Sequence, residues 1–87
     1  MVFVKMAMMI HHYKRFAPNG IKVWYVAAFP APDQNLTYEI RKWCYEAYGL
    51  PGHRPDTIET RWTDDVKYGE VTFERESDLT LFLLRWE

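Results

Sequence analysis

The clearest hydrophobic block is residues 21–29, Ile-Lys-Val-Trp-Tyr-Val-Ala-Ala-Phe. It is almost wholly apolar and rich in β-branched and aromatic side chains. That predicts a central strand covered on at least one face. Residues 2–10 are β-branched and apolar at first, then Met-rich. They are read as a strand, with helix as the alternative because Met and Ala favour it. Between the two segments, Ala17-Pro18-Asn19-Gly20 carries a turn: Pro presets φ, and Asn and Gly tolerate positive φ. Pro30 and Pro32 end the central strand, and Asp33 or Asn35 then caps a helix. Leu36, Ile40, Trp43, Cys44 and Ala47 share one helical stripe, with Glu39, Lys42 and Glu46 on the other side. Gly49 and Pro51 stop this helix near Tyr48.

The second half repeats the alternation. Leu50–Pro55 is a loop. Thr57–Thr63 alternates, with Ile58, Thr60 and Trp62 on one side, and Asp64-Asp65 is expected to turn the chain. Tyr68–Arg75 follows as a strand, with Gly69, Val71 and Phe73 inward and Tyr68, Glu70, Thr72 and Glu74 outward. Ser77 or Asp78 caps a last helix, Leu79–Arg85, whose apolar content is nearly all-round. A helix of that kind is deeply buried or offers a face to another molecule.

The resulting order is ββαββα within one domain, residues 1–87. Without its first strand this is the ferredoxin-like order lacking its last strand. A hairpin through Pro18-Asn19-Gly20 would place residues 2–10 where that last strand belongs. The expected fold is therefore α+β: a four-stranded antiparallel sheet with two helices on one face.

Charge adds an asymmetry. The net charge is −1, which gives no general attraction to nucleic acid or membrane. Residues 1–32 hold four bases (Lys5, Lys14, Arg15, Lys22) and no acid, while residues 33–87 hold seven bases and twelve acids. An acidic face that meets a basic partner would account for this; ordinary solvated faces are the plainer explanation. Aromatic residues make up 17% of the chain, more than one small core needs, so some Trp and Tyr rings should reach the surface and serve an interface. Cys44 is the single cysteine, which suits a reducing cytoplasm. The apolar run after Lys5 ends at Ile10 before His11, His12 and Lys14, so no signal peptide or membrane span is expected.

Candidate chemistry is sparse. His11 and His12 are adjacent, and on a strand adjacent side chains point to opposite faces, so they cannot chelate one ion. No metal or cofactor is expected. Cys44 lies on the apolar stripe, where a thiol packs as a small core residue rather than a nucleophile. Gly52-His53-Arg54-Pro55 could hold an anion through His53 and Arg54, or be a plain connector stiffened by proline. Lys67-Tyr68-Gly69-Glu70-Val71-Thr72-Phe73 loosely resembles the aromatic strand of the RNA-recognition motif, with Tyr68 and Trp24 placed to stack bases. It departs from that motif at Lys67, where a glycine belongs, and at Glu70, which replaces the central stacking ring and repels phosphate.

The ending Phe73-Glu74-Arg75-Glu76-Ser77-Asp78-Leu79-Thr80-Leu81-Phe82-Leu83-Leu84-Arg85-Trp86 resembles the tails of small accessory proteins of tailed bacteriophages. The resemblance spans about a sixth of the chain and carries no catalytic residue. It implies a phage setting, in which many small proteins bind host enzymes or defence factors. The sequence thus points to a non-enzymatic, cytoplasmic protein-binding module, plausible as a phage-encoded inhibitor. Its partner would present a basic surface to Tyr68, Glu70, Glu74 and Trp24. An RNA- or single-strand-binding domain is the first alternative. A virion structural part, a small-ligand-binding domain and a homo-oligomer are the others.

Overall fold

The computed structural model describes residues 8–52 and 61–87. Its elements are β1 (His11–Phe16), β2 (Val23–Ala28), α1 (Gln34–Tyr48), β3 (Trp62–Asp65), β4 (Glu70–Phe73) and α2 (Glu76–Trp86). The four strands form one antiparallel sheet in the order β1-β2-β4-β3. The fold is α+β.

Strand alternation sorts the sheet's two faces. Ala27, Val71, Phe73 and Trp62 are buried on one of them, in a common core with Ile40, Cys44 and Tyr48 of α1 and Leu79, Phe82 and Trp86 of α2. Both helices therefore cover the same face. Aromatic edges knit this layer: Trp43 meets Tyr48, Phe82 and Trp86, and Phe73 lies between Tyr48 and Phe82. All four tryptophans are buried or half-buried, and the exposed rings among the described residues are Tyr13, Phe16, Tyr38, Tyr45 and Tyr68.

The first helix follows its sequence pattern. Asp33 is the cap, its Oδ1 accepting from the Leu36 N–H at 2.7 Å. Ile40 and Cys44 are fully buried at the middle of the stripe. Gly49, at φ 86°, ends the helix.

Four expectations need correction. The first strand is His11–Phe16 rather than residues 2–10; residues 8–10 are not strand, and residues 1–7 lie outside the described residues. The hairpin itself forms as expected around Pro18-Asn19-Gly20, with Gly20 N–H bonded to Ala17 O and Asn19 Oδ1 accepting from Ile21 N–H. Asp64 and Asp65 end β3, and the turn comes after them, in a 3₁₀ turn Val66–Tyr68 closed by Gly69 at φ 81°. Tyr68 therefore stands in a turn and not on the strand. The cap of α2 is Arg75, without a side-chain bond, because Asp78 one turn on is engaged by Arg61. The expected pattern at Thr57, Ile58 and Thr60 lies outside the described residues.

Candidate functional site

The face of the sheet away from the helices is built from three cross-strand rows. His11, Ala28, Glu70 and Asp65 form one, and Tyr13, Val26, Thr72 and Thr63 the next. In that row the Thr63 and Thr72 hydroxyls pair with each other. Arg15 and Trp24 begin the third, and continuing the register puts Glu74 beside Trp24.

Opposite charges are interleaved across these rows. Arg15 Nη1 donates to Glu70 Oε1 at 2.8 Å, and Arg15 Nη2 donates to the Tyr13 hydroxyl at 3.0 Å. The hydrogen bond to Glu70 raises the Arg15 pKa above its ordinary value. Lys22 Nζ lies 3.9 Å from Glu74 and 4.3 Å from the centre of the Trp24 ring. Bases of the first 32 residues are thus folded onto acids of the second half. Two of the twelve acids, Glu70 and Glu74, are met here by bases from the first part of the chain.

That arrangement changes the standing of the residues singled out in the sequence. Glu70 and Glu74 share the outer face, as alternation predicts, and Trp24 lies on it with them. Both carboxylates, however, already have cationic neighbours. Trp24 is only 4% exposed, with Lys22 over its ring, so it presents no open platform for a base to stack on. Tyr68 is 71% exposed but stands in the 3₁₀ turn, with Lys67 Nζ 4.9 Å from its ring. His53 and Arg54 lie outside the described residues.

Cys44 is buried at the centre of α1. Burial, reinforced by the nearby Asp64 carboxylate, pushes its thiol up to about 12. A thiol held protonated in the core packs; it does not attack. His11 and His12 follow each other in β1 and so point to opposite faces. Among the described residues, no three His, Cys, Asp or Glu side chains gather where they could hold a metal ion.

What the sequence reading overlooked is the outer edge of the sheet. Every residue of β1 is exposed, on both faces. The helices pack over β2, β3 and β4, and β1 extends past them. Tyr13 is 44% and Phe16 63% exposed, and the adjoining Met9 and Ile21 reach 76% and 85%. At the hairpin end an open hollow of about 390 Å³ lies between Phe16, Pro18, Lys22 and Trp24. The turn at Pro18-Asn19-Gly20 could have located this strand, because a hairpin requires a partner directly before Ala17. Comparison with family models, with curated proteins and with solved structures finds no match for this chain.

Proposed function

We propose that this protein is a binding module that docks on another protein through the outer side of its β1–β2 hairpin. The observation that carries this reading is the exposure of all of β1, together with the apolar side chains of Met9, Tyr13, Phe16 and Ile21 around it. Tyr13 projects from the outer face and Phe16 from the helix side, so the edge strand holds an exposed ring on each of its faces, where rings suit an interface. Tyr and Phe are rigid anchors that bury area at low entropic cost. Pairing of Glu70 and Glu74 with Arg15 and Lys22 moves the docking surface from the acidic residues to this edge.

The same proposal includes a finer reading of the fold. The strand order and the antiparallel pairing of all neighbours support a ferredoxin-like sheet whose edge strand comes first in the chain instead of last. The resemblance of the C-terminal tail to phage accessory proteins suggests a bacterial cytoplasm as the setting and a host protein as the partner. No helix among the described residues is long and apolar enough to cross a membrane.

The test is capture from a bacterial lysate with the purified chain and with a Tyr13→Ala/Phe16→Ala double variant, read by quantitative mass spectrometry. Both side chains are exposed, so circular dichroism should show an unchanged fold. The expected result is at least one protein enriched by the wild type and lost with the variant. Enrichment that ignores the variant, or no enrichment at all, overturns the proposal.

A further inference from the structure

The hydrogen-bond register of the hairpin determines which backbone groups of β1 are free. The Ala17 N–H donates to Lys22 O at 2.8 Å, so Ala17 and Lys22 form a hydrogen-bonded pair. In an antiparallel ladder bonded and non-bonded pairs alternate. With the register Phe16↔Val23, Arg15↔Trp24, Tyr13↔Val26 and His11↔Ala28, the odd residues of β1 turn their backbone toward β2. The even residues His12, Lys14 and Phe16 turn theirs outward. Among the described residues no strand lies beyond β1. Its outer edge therefore offers three N–H and C=O pairs in one extended row.

The opposite edge of the sheet is engaged at one point. Gly52 bridges to Thr63 on the outer side of β3, with its N–H bonded to Trp62 O at 2.9 Å, and Asp64 is tied to Arg41 and to the Val66 N–H. Among the described residues, this asymmetry makes β1 the edge open to strand addition.

We infer that β1 binds an extended, acidic segment of a partner protein by strand addition. This deepens the protein-binding reading above and rests on it. The side chains of β1 specify the chemistry of the added strand. Lys14 is a cation, His11 and His12 add donors, β1 has no carboxylate, and its second cation, Arg15, is already held by Glu70. An alternating added strand would set acidic residues on the face of Lys14 and apolar residues on the face of Tyr13. Opposite charges placed across neighbouring strands attract, and like charges repel. The same rule disfavours a second copy of this chain, whose β1 would set one basic strand against another. The acidic edge at β3 is engaged by Gly52, which obstructs a second copy there too.

The experiment uses the full chain labelled with ¹⁵N and two capped nine-residue peptides, one alternating Val and Glu, the other Val and Lys. The Val-Glu peptide should slow amide exchange at His12, Lys14 and Phe16 and bind about tenfold or more tightly than the Val-Lys peptide, weakening as salt rises. Lys14→Pro removes an outward N–H while leaving the bonds to β2, and proline is tolerated on edge strands. This variant should keep the fold and lose the peptide. Lys14→Glu keeps the backbone and should reverse the preference between the peptides. Several outcomes overturn the inference: perturbation away from β1, no perturbation at millimolar peptide, or binding that survives Lys14→Pro. A captured partner that depends on Tyr13 and Phe16 yet survives Lys14→Pro sinks strand addition while leaving the protein-binding reading in place. Failure of both peptide binding and capture sinks both.

Discussion

Arg61 holds both carboxylate oxygens of Asp78: its Nε donates to Oδ2 at 2.9 Å and its Nη2 to Oδ1 at 3.0 Å. The Asp78 side chain is nearly buried, whereas Arg61 keeps one side in water. Tyr48, at the end of α1, joins them. Its hydroxyl donates to the Asp78 backbone oxygen at 2.8 Å, and its ring lies under the guanidinium. Three elements meet at this cluster: the end of α1, the chain entering β3 and the first turn of α2. Removing Arg61 takes the bidentate partner from a carboxylate that is only 6% exposed. Arg61→Ala should therefore cost about 1.5–3 kcal/mol, the range for a hydrogen bond to a charged group. Asp78→Asn, which retains shape and polarity, should cost less. Urea unfolding of the two variants beside the wild type checks the order.

Gly69 is the position where the backbone leaves no room. It sits at φ 81°, and a Cβ there would run into the carbonyl oxygen of Phe29. The approach is close because Phe29 N–H bonds to Gly69 O at 2.8 Å, extending the β2–β4 ladder past its last paired strand residue. Gly20 has a similar φ of 72° but nothing within 4 Å of its missing Cβ. The two glycines separate conformational cost from crowding. Gly20→Ala should lose about 1–2 kcal/mol for the left-handed backbone alone. Gly69→Ala should lose about 3 kcal/mol or more, since overpacking adds to the same cost. Equal losses in the two unfolding curves would show that the Phe29 carbonyl yields.

The buried acids of α1 set the alkaline limit of the fold. Burial pushes the Cys44 thiol up to about 12, and burial also raises the Tyr48 hydroxyl, with the Cys44 and Asp78 charges adding to it. Both groups are neutral when protonated, and the native state holds its protons more tightly than the unfolded chain. Their contribution is complete below the ordinary thiol range and is lost as pH rises toward the folded value. Stability should fall steadily between about pH 9 and pH 12. Cys44→Ala removes one of the two groups and should flatten this decline. An unchanged slope in the variant would assign the decline to Tyr48 alone.

How far the sequence could be read depends on what each element buries. The helix α1 is legible because Asp33 and Gly49 punctuate it and Ile40 and Cys44 lie on one stripe facing the core. β2 is legible because its sheet position buries most of its side chains, so nearly every residue is apolar. β1 is not: a strand exposed on both faces has no hydrophobic alternation, and His-His-Tyr-Lys-Arg-Phe reads as polar connector. The apolar residues just before it drew the expected strand toward the N-terminus. The face carrying Glu70 and Glu74 was predictable from parity. Their partners were not, because Arg15 stands 55 positions away from Glu70 and only the sheet order brings them together.

That long-range pair joins the basic and the acidic parts of the chain and can be tested on its own. Arg15 and Glu70 sit on the outer face, 47% and 27% exposed in their side chains, with their bond spanning β1, β2 and β4. In so wet a place an ion pair contributes little: about 0.2–1 kcal/mol of coupling, falling as salt screens it. Glu70→Lys should therefore destabilise the fold only slightly, by setting two cations together. Arg15→Glu should do the same with two carboxylates. The double variant restores opposite charges in reversed order and should regain most of the loss. A cycle of this kind isolates the pair from the other contacts of each residue, provided neither single variant finds a new partner. Measured by urea unfolding at low and at molar salt, the coupling should be present in the first condition and absent in the second. A coupling of zero at low salt would mean that Arg15 and Glu70 are held independently. Their charges would then be available to a partner, and an acidic outer face would return as a docking surface.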